Sequence, residues 1–164
     1  NYGSSVEGLS LPALTHLTRH RMQSIVIPPL ERIGGGRQLL PESVAGNAQW
    51  REVYESALTM AFERREQLSG DPELRRYGFY CLPSATLTSV ATTINSRELQ
   101  LFIRLRSCNR AQWEIRNVAL RMLKAVEPSF PALFRHYGPA CHTTEECPEG
   151  ALSCGKPSPR ADRS

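Results

Sequence analysis

The tripeptide Arg19-His20-Arg21 is the most pointed chemistry in the chain, placed between the apolar-periodic stretch Leu9, Leu11, Leu14, Leu17 and the segment Met22-Gln23-Ser24-Ile25-Val26-Ile27. Three adjacent side chains cannot share one helical face. On an extended backbone Arg19 and Arg21 project to one side and His20 to the other. Such a fork suits the edge of a planar, phosphorylated ligand, because guanidinium groups offer paired N–H donors to phosphate oxygens. A short basic cluster at an element boundary is more commonly solvated surface. What weighs against that plain reading is an ordered set of residues downstream. Leu82-Pro83 comes first, then Asn95-Ser96-Arg97-Glu98-Leu99 leading into Leu101-Phe102-Ile103-Arg104-Leu105-Arg106, and finally Ala111-Gln112-Trp113-Glu114-Ile115-Arg116.

Together these motifs resemble the flavin-dependent thymidylate synthase (ThyX) family over the stretch from Ala13 to Val126, and their order and spacing are more specific than any one of them. The resemblance implies flavin-dependent C5-methylation of a uracil nucleotide, with methylene-tetrahydrofolate as carbon donor, reduced FAD as hydride source and NADPH as co-substrate. It also implies cofactor-binding roles for Arg19, His20, Arg21, Asn95 and Arg97, and a substrate-binding role for Arg106. His16, about one turn before the basic fork, is a further candidate for the nucleotide side. No protein nucleophile and no metal are expected. Family members assemble as homo-oligomers, so a tetramer is the expected state.

The departures from the family pattern are informative as well. The serine expected after Arg-His-Arg is Pro29, its flanking residues are replaced by Ile27, Glu31 and Arg32, and an arginine expected ahead of Leu-Pro is Phe79. The flavin side is retained while the nucleotide side is remodelled, with Arg32 or Arg37 as replacement phosphate ligands. That asymmetry resembles the variant UMP/dUMP methylases of polyoxin-type nucleoside antibiotic biosynthesis.

The elements that must position these residues follow from periodicity. Residues 7 to 18 read as a helix whose first turn accommodates Pro12. Ser24 to Ile27 reads as a buried strand ended by Pro28-Pro29, and Gly34-Gly35-Gly36 as a linker. Apolar positions between Asn47 and Leu68 recur at helical spacing. A second helix is predicted from about Thr88 to Arg106, with Leu99, Phe102 and Ile103 inward. A third runs from Ala111 to Val126 on the stripe Ile115, Val118, Ala119, Met122, Leu123 and Val126. The resulting fold class is α/β (α+β), ThyX-like and helix-rich around a small sheet. A flavin- and nucleotide-binding domain spans 1–137, followed by a Cys/Pro/Gly-rich tail, 138–164, whose last ten or so residues lack apolar anchors. The first residue is Asn1, and an N-terminal part is expected to be missing.

Composition sets outer limits. The 164 residues suffice for one domain with a sizeable core. Lys124 and Lys156 are the only lysines among 20 Lys+Arg, so arginine dominates the positive charge, yet a net +4 is too small to demand a polyanion. No apolar run is long enough to span a bilayer. The five cysteines are an odd number, which argues for reduced thiols and a cytoplasmic protein. Cys81 and Cys108 read as buried, inert thiols. Cys141, His142, Cys147 and Cys154 have zinc-ligand types but loose spacing without a Cys-x-x-Cys knuckle. The rival function is therefore a non-enzymatic, arginine-rich RNA-binding module with a zinc-clipped tail, although it lacks RNA-binding signatures.

Overall fold

The computed structural model describes residues 1–33, 37–144 and 147–156, the side chain of Thr143 excepted. The triple glycine and residues 157–164 of the tail lie outside the described residues. Along the chain the elements are β1 (Tyr2–Ser10), α1 (Leu11–Thr18), β2 (Gln23–Val26), α2 (Glu42–Ala45), α3 (Ala48–Gly70), β3 (Leu87–Ile94), α4 (Ser96–Arg106), α5 (Trp113–Val126), α6 (Pro131–Phe134) and α7 (Ala140–Thr143). Short 3-10 turns occupy Leu30–Arg32, Arg75–Cys81 and Gly150–Leu152. The strands form a three-stranded sheet in the order β1-β3-β2.

Two of the predicted helices give way to strand plus helix. Residues 7–10 belong to β1, and the helix starts at Leu11 because Ser10 Oγ accepts the Ala13 N–H at 3.3 Å and Pro12 sits in the first turn. The stretch predicted helical from Thr88 is strand up to Ile94. Its β-branched residues alternate, with Thr88, Val90, Thr92 and Ile94 buried, which is the period of a half-buried strand. Asn95 then caps α4 by accepting the Glu98 N–H at 2.9 Å, so the helix cannot extend backward. The predicted buried strand at Ser24–Ile27 is β2, shifted one residue earlier. It is half exposed, with Val26 at 71%, because it forms an edge of the sheet.

The chain divides into two compact units, one of residues 1–4, 15–25 and 92–164, the other of residues 5–14 and 26–91. In the first, α4 packs on α5. Leu99, Phe102 and Ile103 are buried as the periodicity predicts, and so are Ile115 and Ala119, while Val118, Met122, Leu123 and Val126 are half-buried. Tyr2 meets Phe130 and Phe134 edge-on at 5.3 and 5.6 Å. In the second unit α3 packs on the Arg75–Cys81 turn. Gly78 packs closely there: a Cβ would lie 3.0 Å from Ser69 Oγ, which would have to give way by a few tenths of an ångström. The helix predicted between Asn47 and Leu68 is α3, capped by Asn47, but none of its residues is fully buried. Trp50, Val53 and Met60 are all about 60% exposed.

Candidate active site

The first unit holds seven of the residues singled out for cofactor or nucleotide binding, His16, Arg19, His20, Arg21, Asn95, Arg97 and Arg106, while Arg32 and Arg37 belong to the second. Its centre is His20, which follows the end of α1 and is 5% exposed. Nδ1 lies 3.0 Å from Glu98 Oε1, and the Arg106 Nε–H points at Nε2 across 3.1 Å. Phe102 closes the site, its ring edge-on to the imidazole at 5.0 Å. The two contacts assign the tautomer: Nδ1–H donates to the carboxylate, and Nε2 accepts from the guanidinium. Glu98 is held in turn by the Asn95 cap at the start of α4. A carboxylate on the first turn thus fixes a neutral histidine, which fixes an arginine on the last turn of the same helix.

Arg106 is electrostatically unusual. Desolvation lowers its pKa, and the nearby Arg19 charge adds to that effect. Among the described residues no carboxylate pairs with Arg19, Arg21, Arg97 or Arg106. A partly desolvated guanidinium with a second positive charge nearby makes a site that is stabilised when an anion arrives. Arg106 commits its Nε–H to His20, and its two terminal amino groups have the fork geometry that phosphate or carbonyl oxygens accept.

The seven residues were legible in the sequence, but what joins some of them was not. His20 and Asn95 both bond Glu98, and Arg106 joins them through His20, while Arg19 lies near Arg106 as a like charge. Arg21 and Arg97 are exposed and His16 half-buried, none tied to that chain by a hydrogen bond or ion pair among the described residues. Glu98 had a readable signal, standing three residues after a capping asparagine, where a glutamate ordinarily folds back onto the cap N–H; here it reaches His20 instead. Gln23 was overlooked too. Its amide donates to the Leu17 carbonyl at 2.7 Å, and the Thr92 hydroxyl lies 2.6 Å from its oxygen and 3.1 Å from the Ser24 carbonyl, donating to one at a time. These bonds fix the turn that carries Arg19 to Arg21.

The second unit contains the positions where the family pattern is broken. Phe79 is half-buried, its ring tilted by 30° against that of Tyr80 at 4.2 Å, and Pro29 is exposed at the start of a 3-10 turn. Arg32 and Arg37 line one cavity of about 350 Å³ together with Gly8, Thr88 and Ser89. Gly8 has φ +70, a conformation disfavoured for other residues, and a Cβ there would lie 3.6 Å from Arg37 Nη2.

Burial is the largest cause of a lowered His20 pKa; the Glu98 hydrogen bond opposes it and the Arg106 charge reinforces it. As pH falls below the ordinary 6.5, the unfolded chain takes up the His20 proton before the folded chain does. This group's contribution to stability is therefore lost with falling pH, until the folded imidazole is protonated as well. Protonation also removes the acceptor for Arg106. Melting temperatures measured between about pH 7.5 and pH 5 are expected to fall less steeply in His20→Gln than in the parent. Parallel curves would refute the assignment of a neutral, buried His20.

The family model of Thy1, thymidylate synthase complementing protein, matches residues 1–132, and this chain belongs to that family. It is 37% identical over 155 residues to the flavin-dependent thymidylate synthase of Geobacter sulfurreducens, covering 92% of this chain and 66% of the relative. It is 36% identical over 146 residues to that of Sulfurisphaera tokodaii, covering 85% of this chain and 55% of the relative. The chain thus spans between about half and two thirds of the length of these relatives. Among solved structures it resembles the Helicobacter pylori flavin dependent thymidylate synthase ThyX complexed with FAD and dUMP, with a TM-score of 0.63 and 25% identity, covering 84% of this chain and 72% of that one. The UMP/dUMP methylase PolB from Streptomyces cacaoi bound with 5-Br dUMP shares the fold, with a TM-score of 0.65 at 23% identity, covering 81% and 72%. These likenesses favour the enzyme family over the RNA-binding alternative. Among the described residues no group of three or more His, Cys, Asp or Glu side chains is placed to hold a metal ion, and no helix is long and apolar enough to cross a membrane.

Proposed function

We propose that this chain is a flavin-dependent methylase that converts a uracil nucleotide, dUMP or UMP, to its C5-methyl form in the cytoplasm, with methylene-tetrahydrofolate and NADPH as co-substrates. The observation that carries this reading is the Glu98–His20–Arg106 chain, which holds a partly desolvated guanidinium beside Arg19 with no carboxylate partner among the described residues. Family membership gives that anion site its ligand class.

The donor set fits FAD: Arg19, Arg21 and Arg97 are exposed, unpaired guanidinium groups suited to phosphates, and Asn95 adds an amide. When bound, the flavin supplies hydride. Arg106 would hold the nucleotide through its terminal amino groups, with His16 lining the same side. His20, with both ring nitrogens engaged, acts by orienting Arg106. No nucleophile is assigned to the chain, whose part is to position and polarise the uracil ring. In the second unit, Arg32 or Arg37 would replace a phosphate ligand lost where the family pattern is broken at Pro29 and Phe79. Residues 1–137 would be the flavin- and nucleotide-binding domain, with 138–164 as an appended tail. Helix α3, in which no residue is fully buried and Trp50, Val53 and Met60 are exposed, supports assembly into a homo-oligomer, for which we propose a tetramer.

A competition assay tests the substrate. A nucleotide site with fewer polar contacts loses little when a hydroxyl is added at the sugar, whereas one built to bond that hydroxyl discriminates strongly. Turnover of both dUMP and UMP is expected from the flavin-loaded enzyme with methylene-tetrahydrofolate and reductant. A dUMP preference of about a thousandfold, ~4 kcal/mol, would assign ordinary thymidylate synthase specificity, and turnover of neither would remove the chain from the methylases.

A further inference from the structure

Four of the chain's five cysteines, Cys108, Cys141, Cys147 and Cys154, line a single cavity of about 290 Å³ in the first unit, with Arg110 and Lys156 in the same wall. None of the seven cofactor and nucleotide residues lines it. The cysteines are free and half-buried, so Cys108 is not the buried, inert thiol its sequence neighbourhood suggests. The segment that carries Cys154 is fixed: Arg110 donates from Nε to the Leu152 carbonyl at 2.8 Å and from Nη2 to the Ser153 carbonyl at 3.1 Å. The turn after α4 also serves both sulfurs. The Arg110 N–H points at Cys108 Sγ across 3.4 Å, and the Asn109 side-chain amide at Cys154 Sγ across 3.8 Å.

These contacts bear on how readily Cys154 ionises. Hydrogen bonding with the Lys156 backbone is the largest cause of its lowered pKa, followed by the Asn109 amide, and the Arg110 charge adds to both. The thiolate is the nucleophile in thiol chemistry, so an accessible cysteine beside cations and amide donors reacts first.

We propose that this cavity is a redox-modification site in which Cys154 reacts with hydrogen peroxide and then closes an intrachain disulfide with a second cysteine of the same cavity. In the first step the Cys154 thiolate attacks one peroxide oxygen, the O–O bond breaks, hydroxide leaves and the sulfur is oxidised to a sulfenic acid. In the second, the sulfur of the partner thiol attacks Cys154 Sγ, the S–O bond breaks, and water departs with the partner's proton. The chain loses two hydrogens in all and peroxide is reduced to two waters. Cys108 is the favoured partner, because its sulfur sits on the turn that holds Cys154. The bond ties the segment after α7 to the corner between α4 and α5, a link now made only by Arg110 and Asn109 among the contacts above.

The full chain is treated with hydrogen peroxide, blocked with iodoacetamide, digested without reduction and mapped by mass spectrometry. Before oxidation, Cys154 is expected to alkylate about tenfold faster than Cys81, which is outside the cavity, at neutral pH. After oxidation, the Cys154 peptide is expected to be linked to Cys108, Cys141 or Cys147 of the same chain. The link should disappear in Cys154→Ser and form more slowly in Asn109→Ala, with circular dichroism unchanged in both. Equal alkylation of Cys81 and Cys154, a Cys154 peptide that stays reduced or pairs with Cys81, or a link that persists in Cys154→Ser would overturn the proposal.

Discussion

Replacing Arg106 by alanine is expected to weaken dUMP and UMP binding by about ten- to a hundredfold while leaving the fold in place, since a hydrogen bond to a charged group contributes roughly 1.5–3 kcal/mol and each 1.4 kcal/mol is about tenfold. The guanidinium is only partly buried and has no carboxylate partner among the described residues, so its removal leaves no stranded negative charge. His20 loses one hydrogen-bond donor at Nε2 but keeps Glu98 at Nδ1. Arg106→Lys should recover charge without the fork and bind at an intermediate level, because an ammonium cannot reproduce paired planar donors. Unchanged nucleotide affinity in Arg106→Ala, measured on the flavin-loaded protein, would take this residue out of the substrate site.

The largest expected loss of stability comes from Phe102→Ala. Phe102 is fully buried on the inward stripe of α4, between Leu99 and Ile103 in the sequence of buried positions, with its ring edge-on to His20. Truncation removes the apolar contacts, leaves a cavity and forfeits the aromatic pair, a combination that typically costs about 3–5 kcal/mol. It also removes the wall that holds the imidazole, so the orientation of Arg106 should loosen in whatever protein remains folded. Chemical denaturation of parent and variant checks the first effect. A change under about 1 kcal/mol would mean that α4 is not the core element described.

What the sequence revealed depended on how local the cause was. The stripes of α4 and α5 were readable because Leu99, Phe102, Ile103, Ile115 and Ala119 recur at helical spacing, and the same spacing places them inside. The start of α4 was not readable from apolar period alone, since Thr88 to Ile94 has no Pro or Gly to separate strand from helix; the capping asparagine was the missed punctuation. Ser10 was missed at α1 for the same reason. Strand β2 was found but misjudged in burial, because edge position is a property of the sheet and not of four residues. At the site, the Arg-His-Arg alternation correctly separated His20 from its neighbours: it is buried while Arg19 and Arg21 are exposed, although the tripeptide forms a turn rather than a strand. The Glu98–His20 contact joins residues 78 positions apart, and no local pattern encodes such a pairing. The convergence of four cysteines on one cavity likewise depends on the path of the chain after α5.

Flavin is expected to bind through Arg19 and Arg21, between α1 and β2, and Arg97, in the first turn of α4, and titration of the purified protein with FAD, followed by flavin absorbance, tests this most directly. A saturable, perturbed flavin spectrum is expected for the parent. The affinity should fall about tenfold or more in Arg21→Ala and in Arg97→Ala, each of which removes at least one charge-assisted hydrogen bond to the cofactor. A parent that takes up no FAD, or two variants that bind it as tightly as the parent, would contradict the account.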